Sequence, residues 1–129
     1  MYHTAILNPG LNELLGRIRH TNTLVISDKG FPFWPDIELI DLSLVDDKPS
    51  VLDVLQALLP QFTIGAAWMA EEFRTHNGQE LQAAFADVLA PVETQFLPHD
   101  RFKERVPTAI GLIRTGGTAS YSNIILESA

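Results

Sequence analysis

The segment Gly16–Trp34, GRIRHTNTLVISDKGFPFW, carries the end of an amphipathic helix into a short apolar run and then into a turn with glycine and proline. A chain that moves from helical to strand periodicity over so few residues is built by alternating the two, and alternation favours a sheet covered by helices. Upstream, Asn8-Pro9 reads as an N-cap followed by proline at the first helical position, and Leu11, Leu14, Leu15 and Ile18 form one apolar stripe. The apolar run predicts a strand over Thr23–Ser27, with His20 before it and Asp28 just after it.

The alternation continues to the end of the chain. A second strand is expected over Ile37–Asp41, then a helix capped by Ser50, carrying Val51, Leu52, Val54, Leu55, Leu58 and Leu59 and stopped by Pro60. Thr63–Met69 reads as a buried strand, and Asn77-Gly78 opens a helix with Leu81, Phe85, Val88 and Leu89 on one face. Val92–Leu97 reads as a strand, Arg101–Arg105 as a short helix and Ala109–Arg114 as a strand; Gly116-Gly117 then turns the chain into an extended piece, Ser120–Leu126. The fold class predicted is α/β: one domain over residues 1–129 with a mostly parallel sheet and helices on both faces. At 129 residues the chain is large enough for a proper core, and no internal repeat or linker interrupts it.

Composition excludes several functions. The net charge of −7 disfavours nucleic acid and anionic membranes as partners. No apolar run is long enough to span a bilayer, and Met1-Tyr2-His3-Thr4 lacks the basic start of a secretory signal. The absence of cysteine removes disulfide and thiolate chemistry and accords with a cytoplasmic location.

In an α/β sheet, ligands bind outside the carboxyl ends of the strands, which is where Asp28 stands. An imidazole can donate or accept a proton near neutral pH, so His20 and Asp28 flanking one strand suggest acid/base work on a polar ligand. Each group also has a plain reading. His20 can complement a helix dipole, Asp28 can form a turn, His99 can cap a short helix, and Tyr121-Ser122-Asn123 can open an edge strand. Glu71, Glu72 and His76 add polar groups after the third strand. No two histidines sit at ligand spacing on one element, so no metal is expected. Gly116-Gly117 lacks the spacing and lysine of a phosphate loop, and no serine sits in a nucleophile elbow. A phosphoacceptor receiver domain fits the length but lacks a second acidic residue beside Asp28 and a lysine ending a late strand.

Taken together, Ile6-Leu7-Asn8, His20-Thr21-Asn22, Ser27-Asp28-Lys29-Gly30, Ile40–Leu44, Ala70-Glu71-Glu72 with Asn77, Ile113–Gly116 and Tyr121–Leu126 fall in the order and spacing of one family. The chain resembles the D-ribose pyranase and L-fucose mutarotase family end to end, and the ribose branch more closely through Ile40–Leu44 and His99. The resemblance implies a ring-shaped, typically decameric homo-oligomer that needs no cofactor and interconverts sugar ring forms. It makes His20 the catalytic acid/base, and Asp28, His99, Tyr121, Ser122 and Asn123 the monosaccharide contacts. The alternative, from another class, is a non-catalytic sugar-binding or regulatory protein on the same fold.

Opening a hemiacetal needs a proton on the ring oxygen and loss of one from the anomeric hydroxyl, which suits an imidazole. A carboxylate, imidazole, phenol and amide are also the partners a polyhydroxylated ligand needs. Several positions depart from the family pattern, Phe33 and Trp34 by making an unusually heavy aromatic loop after the strand. Lys29 stands where a small residue is usual, and Gly117 where a glutamate is expected. Lys29 either points to solvent, or pairs with Asp36, or adds a cation that selects an acidic or phosphorylated sugar. Phe31, Phe33, Trp34 and Tyr121 lie in loops with no evident internal place. Large aromatics left on a surface mark interfaces, so the Phe31–Trp34 loop or the Tyr121–Asn123 segment is expected to meet a neighbouring subunit near the pocket.

Overall fold

A computed structural model describes residues 1 and 3–129. Helix α1 (Pro9–Arg17) starts where expected, with the Asn8 side chain accepting from the Leu11 N–H at 2.9 Å. Strand β1 (Thr23–Ser27) follows, then β2 (Leu39–Asp41), which begins two residues later than its apolar pattern suggests. Helix α2 (Val51–Leu58) is opened by a full capping box, in which Ser50 and Asp53 satisfy each other's backbone N–H groups.

Strand β3 (Ile64–Ala70) leads directly into a short helix α3 (Glu71–His76) that the apolar pattern does not announce. Its six residues contribute one fully buried apolar side chain, Phe73, too few to form a stripe. Then come α4 (Gln79–Leu89), β4 (Thr94–Leu97), α5 (His99–Arg105), β5 (Gly111–Arg114) and β6 (Ile124–Ser128).

The sheet order is β2-β5-β1-β6-β3-β4. Every pairing between the other five strands is parallel, and β6 runs antiparallel to both of its neighbours, β1 and β3. The last strand therefore sits in the middle of the sheet rather than at an edge. Five strands end along one border, and β6 begins there.

Alternate residues feed two cores. Leu24, Ile26, Met69, Ile113, Ile124 and Leu126 face α1, α2, α3 and α4, while Val25, Trp68, Leu112 and Ile125 face α5. Gly111 allows α1 to lie flat on the sheet, because a Cβ there would come within 2.6 Å of the buried Leu14 side chain. On the α5 face, Phe31 fills the second core edge-on to Phe102 at 6.2 Å, with Trp34 stacked beside it at 6.3 Å. The expectation that Phe31 has no internal place is thus corrected, because the turn after β1 folds back over the sheet. Phe33 alone of that loop's aromatics is fully exposed, at 69 %.

Candidate active site

The border where β1 and β4 end and β6 begins carries an open pocket of about 260 Å³. Its walls are Asp28, Gly30, Phe31 and Pro32 from the turn after β1, His99 from the start of α5, and Ser120, Tyr121 and Asn123 from the turn before β6. Larger grooves exist elsewhere, such as the one of about 560 Å³ between α4 and β4, but their walls are mainly apolar and bring no comparable polar set together.

Asp28 and Asn123 are locked together. The Asp28 N–H donates to Asn123 Oδ1 at 2.8 Å, and the Asp28 carboxylate accepts from the Gly30 N–H at 3.0 Å. Burial raises the Asp28 pKa, against lesser downward pulls from the N–H groups of Gly30 and Phe31, from Asn123 and from the Arg114 cation. A carboxyl in that state can hold or release a proton against a sugar hydroxyl.

His99 is set by Glu72, whose carboxylate oxygens accept the His99 backbone N–H at 3.1 and 3.2 Å. The His99 Nδ1 is buried and has no hydrogen-bond partner among the described residues. That atom is sealed from solvent, so it is the rest of the His99 side chain that lines the pocket. The Tyr121 ring stands edge-on to His99 at 5.1 Å and lies 5.0 Å from His76. Its backbone φ of 55° is left-handed, costly for a bulky residue. The turn is held there in part by Asn77, whose side-chain amide donates to the carbonyl of Ser120 at 2.8 Å.

Three of the residues proposed from sequence do not meet the others in one chain. His20 is exposed at the opposite end of β1 from Asp28. The neighbouring Thr21 N–H donates to the Ser128 carbonyl at the far end of β6, whereas Asp28 is bonded to Asn123 at its start. At about 3.3 Å per residue, the strand keeps the two Cα atoms well over 13 Å apart. Flanking a strand in sequence puts two groups at opposite borders of a sheet.

Ser122 is buried with its hydroxyl unpaired among the described residues, and it lines a separate cavity of about 260 Å³ shared with Val51, Leu52 and Phe85. It is absent from the walls of the pocket that Tyr121 and Asn123 line. Lys29 is exposed and pairs with Asp46 at 2.7 Å, not with Asp36, and its side chain lies outside the pocket walls. No cluster of three potential metal-ligating side chains forms among the described residues.

Sequence reasoning noted Glu72 only as an added polar group and gave Arg114 no role of its own. Arg114, at the end of β5, donates to the carbonyls of Lys29 and Phe31 at 3.2 and 2.7 Å, spanning the base of the pocket loop. An arginine closing an otherwise apolar strand was the available signal.

A mixed α/β sheet with a small polar pocket at its carboxyl border defines a single-domain protein for a small hydroxylated ligand. The chain belongs to the RbsD / FucU transport protein family, which matches residues 1–129. It is 41 % identical over 128 residues to a D-ribose pyranase of Geobacillus kaustophilus, covering 99 % of this chain and 93 % of that one. A D-ribose pyranase of Lactobacillus gasseri is 35 % identical, with 99 % and 97 % covered. Among solved structures, Bacillus subtilis RbsD complexed with D-ribose superposes with a TM-score of 0.94 at 31 % identity, covering 100 % of this chain and 98 % of that one. The fucose mutarotase of Streptococcus pneumoniae in complex with L-fucose, at 19 % identity and a TM-score of 0.80 over 95 % and 92 % of the two chains, speaks for the fold alone.

Proposed function

We propose that the protein is an isomerase that interconverts ring forms of a monosaccharide of the D-ribose type, needing no cofactor. The observation that carries this reading is the convergence of Asp28, His99, Tyr121 and Asn123 on one sugar-sized pocket in a chain similar over its full length to D-ribose pyranases. The pocket's side chains are acceptors and donors of the kind hydroxyl groups satisfy.

Ring opening moves two protons. One goes to the ring oxygen as the bond to the anomeric carbon breaks; the other leaves the anomeric hydroxyl, which becomes the aldehyde oxygen. Closure through a different hydroxyl, or onto the other face of the aldehyde, reverses both transfers. Asp28, with its pKa raised by burial, is the group in the pocket able to exchange a proton with the hydroxyls involved, and the His99 side chain forms the wall beside it. Asn123 and Tyr121 orient the sugar beside them. The acid/base role proposed for His20 then requires that it enter from a second copy of the chain, since its own strand keeps it from the pocket.

That requirement supports a homo-oligomer, for which a ring-shaped decamer is the expected form. The exposed apolar residues Phe33, Leu44 and Val45 are available for contact between copies. No helix among the described residues is long and apolar enough to cross a membrane, and the proposed location is the cytoplasm.

Magnetisation-exchange NMR across a panel of monosaccharides tests the reading. Faster exchange between pyranose and furanose signals of D-ribose is expected with the protein present. Binding without any acceleration would favour the non-catalytic sugar-binding alternative, and no binding to any monosaccharide would remove both.

A further inference from the structure

The rim of the pocket is a turn, Asp28–Pro32, with few bonds of its own. Lys29 N–H donates to the Gly117 carbonyl and Gly30 N–H to the Asp28 carboxylate. The carbonyls of this mostly exposed turn face the other way and take side-chain partners. One side chain supplies them. Arg114 Nη1 donates to the Lys29 carbonyl at 3.2 Å and to the Phe31 carbonyl at 2.7 Å, and Nη2 reaches the Pro32 carbonyl at 3.4 Å, near the limit of a hydrogen bond.

Arg114 has carboxylates close by but is not spent on them. It influences both Asp28 and Asp41, yet forms no ion pair within 4.0 Å with either. The guanidinium is a planar fork with five fixed donors and matches several acceptors at once, whereas a lysine ammonium is a compact point charge. The strand beneath it is rigid. Gly111–Arg114 is paired on both sides, and the next residue, Thr115, bonds the Ser27 carbonyl through both its N–H and its hydroxyl. A stiff strand end therefore grips a turn that would otherwise be weakly held.

We propose that Arg114 is a positioning residue that clamps the 29–32 turn and so keeps the Asp28 and Phe31 walls of the pocket in sugar-binding geometry. The effect on sugar rests on the functional reading above; the clamp itself does not. Nothing in this role requires Arg114 to touch the substrate.

Two variants test it. R114K keeps the charge but cannot span the carbonyls, and R114M keeps the length without charge or donors. In the sugar-free protein, hydrogen exchange at the Gly30 and Phe31 amides should speed up about 10-fold or more in both variants, the equivalent of one charge-assisted hydrogen bond. Amides of β1 and β6 should exchange as in the parent, which separates a loosened turn from a destabilised fold. D-ribose affinity should fall by a similar factor, with turnover of the bound sugar changed far less.

Wild-type exchange at Gly30 and Phe31 in R114K would overturn the clamp. Faster exchange with unchanged sugar affinity would overturn its role in the pocket. If the parent protein itself accelerates and binds no monosaccharide, the functional reading falls, while the exchange comparison still decides whether Arg114 holds the turn.

Discussion

If the site needs His20 from one copy and Asp28 from another, two inactive variants should repair each other. The geometry leaves little freedom: β1 runs the width of the sheet between them, and His20 is exposed at the border away from the pocket. His20→Ala alone should slow ring exchange roughly 100-fold or more, the usual worth of a positioned acid/base, and Asp28→Asn should likewise cripple the pocket. When the two variants are unfolded, mixed in equal amounts and reassembled, each site draws its histidine and its carboxylate independently. Half of the copies carry each intact group, so about one quarter of the sites should regain both in a homo-oligomer with shared sites. Exchange NMR on D-ribose would then recover to about one quarter of the wild-type rate per site, and recovery should be greatest at equal proportions. A mixed sample no faster than its parents, although light scattering shows mixed assembly, would refute the shared site. Full activity of His20→Ala alone would remove His20 from the mechanism.

The raised pKa of Asp28 has a stability consequence opposite in sign to that of Asp41 and Asp47, whose carboxyls are held below their ordinary values, chiefly by the Ser43 and Thr118 side chains. Between 3.8 and its raised value, Asp28 binds its proton more tightly folded than unfolded, so raising pH through that window removes stability. Asp28→Asn should therefore melt higher than wild type at neutral pH, with the difference closing below pH 3.8; a lower melting temperature for the variant at neutral pH would contradict this account. Lys29→Ala should leave D-ribose affinity within about twofold, because an exposed ion pair such as Lys29–Asp46 is worth little. Calorimetry showing a selective loss of acidic or phosphorylated sugars would restore the specificity reading. Phe33→Asp should shift the assembly toward smaller species and weaken exchange along with it; light scattering that finds the assembly intact would exclude Phe33 from the interface.

Much of the architecture was legible because it depends on local chemistry. Asn8-Pro9 and Ser50 with Asp53 start helices by satisfying free N–H groups, and Thr23–Ser27 announces a strand by being apolar over a strand's length. The candidate ligand set Asp28, His99, Tyr121 and Asn123 followed from resemblance together with the rule that strand ends carry sites. The final extended piece was expected from its apolar run, but its antiparallel course and its place between β1 and β3 were not.

Other features depend on which surfaces meet, and the sequence alone does not specify that. Helix α3 is stabilised by burying Phe73 against Phe85 rather than by a stripe of its own. Phe31 looked homeless because the face left open beside α5 is visible only once the sheet is assembled. Ser122 sits between two pocket-lining residues in the chain and faces a different cavity, because the turn at Tyr121 sets its direction. His20 and Asp28 looked like partners because sequence distance hides the length of an extended strand. The tertiary structure separates them because hydrogen-bonded strands are stiff and cannot fold back to bring their ends together.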